Sequence, residues 1–115
     1  MQYALLIYTD EKQEAETTKE QADAIMAAYF AFSEQYKDKI VAGEALMPTQ
    51  SATTVRAPEG KALTTDGPFA ETKEQLGGFY LIEAANLDEA IEIAARIPGA
   101  AYGSIEVRPV MKFDS

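Results

Sequence analysis

The chain has 115 residues, of which 47% are hydrophobic and 25% charged, so it fits one globular domain spanning residues 1–115. Its formal net charge of −9 argues against a nucleic-acid partner, because an acidic surface repels phosphates. It has no cysteine and no histidine, which excludes a disulfide framework, a thiolate nucleophile and imidazole catalysis; we expect a cytoplasmic protein without a metal or cofactor.

The chain opens on an apolar segment, residues 2–8, in which both alternating sets of side chains are apolar. This pattern predicts a strand that is buried on both faces. The segment is too short to span a membrane, and no basic region precedes it as in a signal peptide. We therefore interpret it as the first strand of the mature protein and expect no membrane association.

A polar, acidic stretch over residues 10–17 predicts a loop, and a helix follows. Thr17 and Glu20 have the spacing of a capping box, and the helix runs to about Tyr36. One helical face carries Ala22, Ile25, Met26, Tyr29, Phe32, Ser33 and Tyr36. A stripe of this kind is most often core, and the alternative is a role for Tyr29 or Tyr36 in a ligand pocket.

The middle of the chain predicts three strands and a turn. Residues 39–46 form a strand in which Gly43 marks a bulge or a close backbone approach. Residues 52–56 and 61–65 form two short strands around a turn at Pro58–Gly60, and a loop follows over residues 66–75.

The last part of the chain predicts a strand, a helix and a strand. Residues 78–84 are apolar without alternation, as in a buried strand. Asn86 and Glu89 have cap spacing for a second helix, which ends at Pro98. Its apolar stripe is Leu87, Ala90, Ile91, Ala94 and Ile97. Residues 104–110 alternate, which is typical of an edge strand with one face in water.

This order of elements predicts an α+β fold, the ferredoxin-like split βαβ sheet, with an inserted β-hairpin. The first and third core strands, which are apolar on both faces, belong in the middle of that sheet. Two helices cover only one sheet face, so the other would leave a large apolar patch in water. We therefore expect a homodimer through the sheet face, with a pocket between sheet and helix or at the dimer seam.

The most distinctive segment is Thr65–Tyr80, and it has two interpretations. As structure, Asp66-Gly67-Pro68 forms a turn, Phe69 fills the core, and Gly77-Gly78 allows the next strand to enter closely. As a site, Asp66 lies at a strand end over a cleft, where ligands gather in folds of this kind.

Asp66-Gly67-Pro68-Phe69, with Ala70-Glu71-Thr72-Lys73-Glu74 and Gly77-Gly78-Phe79 after it, resembles the signature of the DGPF-type branch of the YCII-related family. The resemblance extends over essentially the whole chain. It implies a dimeric α/β-barrel fold and a cleft whose acidic residue maps to Asp66. Some members carry a His-Asp pair in this cleft, which this histidine-free chain cannot form. DGPF-type proteins also resemble products encoded beside extracytoplasmic-function sigma factors, which implies a regulatory partner.

Asp66 is the candidate catalytic residue, and the candidate ligand-binding residues are Asp66, Gly67, Arg56, Glu44, Glu71, Lys73 and Tyr80. Several have simpler alternatives. Arg56 is either solvated or an anion-binding cation, and Lys73 either pairs with Glu71 or Glu74 at the surface or contacts a ligand. Tyr80 and Tyr8 are expected to pack at the dimer seam, each with a hydroxyl available to a ligand.

Three functions remain open from the sequence. The first is a domain that binds a small polar molecule near Asp66 and Arg56. The second is an enzyme that uses Asp66 as acid or base with a tyrosine or water. The third is an accessory partner of a sigma factor or another regulatory protein.

Overall fold

The computed structural model describes residues 1–113, which form six strands and three α-helices. The strands are β1 (Gln2–Thr9), β2 (Ile40–Ala45), β3 (Thr53–Arg56), β4 (Leu63–Asp66), β5 (Gln75–Glu83) and β6 (Ser104–Pro109). The helices are α1 (Glu11–Ala15), α2 (Lys19–Gln35) and α3 (Leu87–Ala95). Short 3₁₀ turns lie at Thr49–Ser51, Pro58–Gly60 and Pro98–Ala101.

The main sheet has four antiparallel strands in the order β2-β5-β1-β6. This is the strand order of a ferredoxin-like fold, and it confirms the fold class predicted from the sequence. The two central strands, β1 and β5, are the ones whose sequences are apolar on both sides. In β6, Ile105 and Val107 pack against the core while Glu106 and Arg108 are exposed, as the alternation predicts.

The core lies on one face of this sheet, under α2 and α3. Alternate residues of β1 are buried there, and the register places Leu5 opposite Tyr80 of β5 and Val107 of β6. The buried apolar residues are Tyr3, Leu5, Ile7, Phe32, Ile82, Ala84, Ala90, Ile93, Ala94 and Ile97. The intervening side chains of β1 are only half-buried, so a single chain does not provide the two-sided burial that the sequence predicts. We call their side of the sheet the open face.

Helix α2 is attached to the sheet near its C-terminal end. Phe32 is 3% exposed, and its ring centroid lies 5.1 Å from the rings of both Tyr36 and Tyr80. Towards the N-terminus the predicted stripe is not core: Ala22 and Met26 are exposed and Ile25 is half-buried. The first half of α2 therefore stands away from the sheet.

The structure corrects the predicted start of this helix and the loop before it. The capping box joins Thr18 and Gln21, one residue later than predicted, with Gln21 N donating to Thr18 Oγ1 at 3.2 Å. Residues 11–15 form a short helix rather than a loop, because Asp10 Oδ1 accepts from Lys12 N at 2.9 Å and caps it.

In α3 the cap at Asn86 is confirmed, since its Oδ1 accepts from Glu89 N at 3.0 Å. The predicted stripe is partly wrong. Leu87 and Ile91 are about half exposed, whereas Ile93 is buried. The buried face is rotated because Pro98–Ala101 and β6 also pack against this helix.

Strands β3 and β4 form a two-stranded sheet of their own, separate from the main sheet. We call this hairpin, residues 52–67, the arm. It is fastened at its base, where Gly67 N donates to Ala52 O at 2.7 Å and Thr54 Oγ1 donates to Gly67 O at 2.8 Å. Residues 55–66 are all exposed. The turn predicted at Pro58–Gly60 is present, with Glu59 (φ 55°) and Gly60 (φ 81°) in left-handed conformations.

Candidate functional site

A cavity of about 650 Å³ lies between the first half of α2 and the core face of the sheet. We call it the helix-side cavity. Its apolar wall includes Ile7, Ile25, Met26, Leu46 and the ring of Tyr80. It exists because Phe32 and Tyr36 hold only the far end of α2 against the sheet. The sequence analysis predicted a pocket either between sheet and helix or at a dimer seam. This cavity lies between sheet and helix.

Four polar side chains meet in this cavity, and we call them the polar cluster: Thr9, Glu14, Tyr29 and Tyr102. Thr9, at the end of β1, is 5% exposed, and its hydroxyl donates to the Glu14 carboxylate. Tyr29 comes from α2 and Tyr102 from the turn before β6. Four separate elements thus bring a carboxylate and three hydroxyls to a cavity whose walls are largely apolar.

The environment keeps both tyrosines of the cluster protonated. Burial raises the pKa of Tyr29 to about 12, and the neighbouring Tyr102 adds to the shift. Burial and the nearby negative charge of Glu14 raise the pKa of Tyr102 as well. A shift in this direction favours the neutral phenol, so both hydroxyls are available as hydrogen-bond donors through the physiological range.

Glu11 fixes the position of α1 and hence of Glu14. Its carboxylate accepts from Thr49 N at 2.9 Å and from Thr49 Oγ1 at 2.5 Å. Its own backbone N donates to Gln75 Oε1 at 3.0 Å. The short helix is therefore tied to the loop after β2 and to the start of β5, which holds this wall of the cavity in place.

Two of the residues predicted from the sequence, Glu44 and Tyr80, reach the helix-side cavity. Tyr80 stands opposite Leu5 on the core face of the sheet, and its expected packing at a dimer seam stays a prediction. Glu44 stands opposite Phe79, which in turn pairs with Leu6, so its side chain belongs to the open face. Glu44 contributes to the cavity wall as part of edge strand β2.

Three others lie on the arm, away from this cavity. Asp66 and Arg56 are exposed residues of β4 and β3, and within one chain neither lines the helix-side cavity. Gly67 has a φ of 98°, a left-handed value that other residues adopt at a cost, so the turn explains this glycine. The role of Asp66 as a site residue remains a prediction.

Glu71 and Lys73 belong to the loop between the arm and β5. Glu71 lines a second cavity of about 450 Å³ beside Lys12 and Thr49. Lys73 is exposed, and the ion pairs among residues 1–113 do not include it. Phe69, predicted to fill the core, is 79% exposed, because the loop runs along the surface.

The sequence analysis missed Thr9, Glu14 and Tyr102 as site residues. Glu14 fell within a predicted loop, and Tyr102 lies in a turn without a recognisable motif. The one available signal was Tyr29, whose pocket role was the alternative to a core role. Within residues 1–113 no three carboxylates are grouped to hold a metal ion, and no helix there is long and apolar enough to cross a membrane.

The strand order and the helices on one face define an α+β protein with a ferredoxin-like sheet. A family model described as the YCII-related domain matches residues 1–114, and the chain belongs to that family. An uncharacterized protein of Rhizobium meliloti (strain 1021) is 43% identical over 114 residues, covering 96% of this chain and 92% of that protein.

A solved structure shares the fold. It is 5-chloro-2-hydroxyhydroquinone dehydrochlorinase (TftG) from Burkholderia phenoliruptrix AC1100, in complex with 2,5-dihydroxybenzoquinone. The two chains superpose with a TM-score of 0.59 at 18% identity, covering 96% of this chain and 94% of that one. An identity this low establishes the shared fold and nothing about activity.

Proposed function

We propose that the protein binds a small, uncharged, ring-sized molecule with hydroxyl or carbonyl oxygens in the helix-side cavity. The observation that carries this proposal is the convergence of Thr9, Glu14, Tyr29 and Tyr102 in a cavity whose walls are largely apolar. Small-molecule sites combine these two features, an apolar body and a few placed polar groups.

The size and walls of the cavity favour a compact apolar body. Its volume of about 650 Å³ lies within the range of roughly 300–1,000 Å³ that is usual for small-molecule sites. Ile7, Ile25 and Met26 present hydrocarbon or thioether surface, and Tyr80 presents an aromatic ring. A flat ring fits such walls, because aromatic and aliphatic surfaces bury it without leaving polar groups unpaired.

The charges around the cavity favour a neutral ligand. Glu11 and Glu14 both line it, and the chain as a whole has a net charge of −9. These carboxylates repel an anion, whereas neutral Tyr29 and Tyr102 donate hydrogen bonds to an oxygen. Glu14 in turn accepts from a ligand hydroxyl, so an oxygen that both donates and accepts satisfies the cluster best.

The TftG complex supports the choice of a ring, since 2,5-dihydroxybenzoquinone is an oxygen-substituted ring held by a protein of the same fold. We do not infer from this complex that the present chain catalyses the reaction of TftG. The support for a neutral ligand comes from this chain's own carboxylates.

The proposal is tested by titrating the protein with hydroquinone, followed by NMR or calorimetry, and with benzoate as an anionic ring of similar size. We expect hydroquinone to bind and benzoate to bind at least about tenfold more weakly. Tyr29→Phe and Tyr102→Phe should each weaken hydroquinone binding roughly fivefold, since a neutral hydrogen bond contributes about 1 kcal/mol.

Tyr36→Phe is the matched control, because Tyr36 directly follows α2, packs on Phe32 and lies outside the cavity lining. It should leave the affinity for hydroquinone unchanged. If benzoate binds as tightly as hydroquinone, or if Tyr29→Phe and Tyr102→Phe both bind hydroquinone like the wild type, the proposed ligand class is wrong.

A further inference from the structure

Among residues 1–113, three carboxylate residues line the helix-side cavity, and they differ in what their oxygens contact: Glu11, Glu14 and Glu44. Both oxygens of Glu11 are engaged, because they accept from Thr49 N and Thr49 Oγ1. The side chain of Glu44 belongs to the open face of the sheet. Glu14 accepts from Thr9 through Oε1. Glu14 Oε2 is therefore the carboxylate oxygen best placed to take a proton from a molecule in the cavity.

No positive charge competes for the Glu14 carboxylate. Within the described part of the chain, the cavity lining contains neither lysine nor arginine, and the ion pairs there do not include Glu14. A neighbouring cation would stabilise the charged carboxylate and make it a weaker base. Glu14 is also exposed, so a proton that it takes from a ligand exchanges with water. The residue thus combines a place in the cavity lining with access to solvent.

Two neutral phenols face the same cluster as hydrogen-bond donors. Tyr102 lies close enough to Glu14 to sense its negative charge, and it neighbours Tyr29. The Tyr29 hydroxyl lies beside Gly99, where an added Cβ would come within 2.9 Å of it. A phenol donates more strongly to an oxygen that carries negative charge than to a neutral carbonyl. The two tyrosines are therefore suited to an oxygen on which negative charge develops.

We propose that this site catalyses the keto–enol proton shift of a neutral cyclic ketone, an activity that rests on the proposed binding function. Glu14 Oε2 takes a proton from the ring carbon next to the carbonyl group. The electron pair of the broken C–H bond forms a C=C bond, and the carbonyl π pair moves to the oxygen, to which Tyr29 and Tyr102 donate. Return of a proton from Glu14 to the carbon restores the ketone. The step therefore needs no oxidant, reductant or second substrate.

The balance of charge favours this step in the helix-side cavity. Glu14 loses its negative charge as the ligand oxygen gains one, so the number of charges in the cavity stays constant. Donors that are already in place stabilise the new charge most strongly where water is excluded. An anionic substrate would instead bring a second negative charge beside Glu14 before the reaction starts. The substrate class is therefore a neutral ring with a carbonyl oxygen and a hydrogen on the adjacent carbon.

The test follows deuterium exchange into 1,4-cyclohexanedione in D2O by proton NMR, because the hydrogens beside its carbonyls report the proton shift directly. We expect the wild type to exchange them faster than the same buffer without protein. Glu14→Gln should lower the protein-catalysed rate at least about 100-fold, the lower end of what a general base contributes. It should still bind the dione, since glutamine keeps an acceptor for Thr9 and the dione has no hydroxyl to donate to Glu14. Glu16→Gln is the matched control, because Glu16 follows α1 outside the cavity lining, and its rate should equal that of the wild type.

A second variant separates catalysis from binding at the tyrosines. Tyr102→Phe should lower the exchange rate at saturating dione about 100-fold, as the loss of a donor to a developing oxyanion does. Its affinity for the neutral dione should fall only about fivefold, because a neutral hydrogen bond contributes about 1 kcal/mol. A role of Tyr102 in binding alone would leave the rate at saturating dione unchanged.

The outcomes distinguish this activity from the binding function. If hydroquinone and the dione bind to the wild type but exchange stays at the buffer rate, the activity is wrong and the binding function stands. Exchange that Glu14→Gln retains, or that Glu16→Gln loses equally, would also overturn the activity. If neither ring binds, the binding function and the activity are both wrong.

Discussion

Tyr29 links α2 to the polar cluster, and the partial burial of this residue has a measurable consequence at high pH. Its pKa is raised from 10 to about 12 in the folded chain. As the pH rises above about 10, the unfolded chain therefore loses this proton first, and folding becomes less favourable. The stability that this shift confers is complete below pH 10 and is lost towards pH 12.

We expect urea unfolding of the wild type to show stability falling between about pH 10 and about pH 12, and Tyr29→Phe to show a shallower fall. Tyr36→Phe controls for the general cost of removing a tyrosine hydroxyl, because Tyr36 directly follows the last residue of α2. Identical slopes for the wild type and Tyr29→Phe would show that Tyr29 does not titrate between these limits.

Individual residues were the hardest feature to predict from the sequence. Asp66 ends β4 and the chain bends at Gly67, close to the turn that the motif predicts. Whether Phe69 turns inward depends on the path of a surface loop that no local pattern encodes. Thr9 and Glu14 become neighbours only because β1 runs directly into a short helix. The polar cluster as a whole could therefore not be predicted from the sequence, whereas Tyr29 was identified as a possible pocket residue.

At the scale of elements, β5 enters the sheet through two glycines that face different surroundings. A Cβ on Gly78 would lie 2.8 Å from the backbone oxygen of Glu44, so β2 would have to move. A Cβ on Gly77 would lie 3.7 Å from Thr9 Oγ1, an ordinary contact. The close approach of β2 and β5 therefore depends on Gly78 far more than on Gly77.

Gly78→Ala should destabilise the fold by roughly 1–3 kcal/mol, the usual cost of overpacking. Gly77→Ala should change it by less than about 0.5 kcal/mol. Chemical denaturation of the two variants under the same conditions measures the difference. Equal stabilities would mean that β2 adjusts freely to an added methyl group.

Local rules found most elements but not always their buried faces. Asn86 was recognised as a cap because its geometry is set within four residues. The stripe on α3 was misassigned at Leu87, Ile91 and Ile93, because which side of a helix is buried depends on what packs there. The break at Gly43 was anticipated as a bulge or a close approach. The bulge lies at Val41, while a Cβ on Gly43 would meet the Tyr80 ring at 2.7 Å, so the close approach is confirmed.

At the scale of the whole molecule, the open face of the sheet is the surface through which we predict that a homodimer forms. Leu6 pairs with Phe79, and Ala4 pairs with Leu81, so apolar side chains are contiguous across the two central strands. A contiguous patch of this kind favours burial against a partner. The dimer remains a prediction, and charged substitutions at the adjacent β1 residues Leu5 and Leu6 provide a test of it.

Leu6→Glu should leave the monomer folded, because Leu6 is only half-buried in one chain, and should raise the dimer dissociation constant at least about tenfold. Leu5 is 0% exposed, so Leu5→Glu buries an unpaired charge and should unfold the chain. Light scattering and thermal melting distinguish the two. A Leu6→Glu protein that dimerises like the wild type would place the interface elsewhere.

The strand order was predictable from the sequence because hydropathy and topology agree: the strands that are apolar on both sides are the central ones. The projection of the arm was not predictable. A hairpin whose strands are Thr53–Arg56 and Leu63–Asp66, each with two adjacent threonines and one apolar residue, has the same sequence pattern whether it packs on its own chain or extends away from it.

The two outer strands also restrict how copies can associate. The register shift at Val41 interrupts the free edge of β2, and Pro109, which lacks a backbone N–H, ends the free edge of β6 beside charged Glu106 and Arg108. Bulges, prolines and charges are the features that prevent one sheet from adding to the edge of another. Growth by continuous strand addition, the route to fibres, is therefore disfavoured at both ends of the sheet. Association through faces stops once those faces are covered, so the two unpaired edge strands of this plate-shaped molecule, 47 × 45 × 19 Å, do not provide a route to continuous growth.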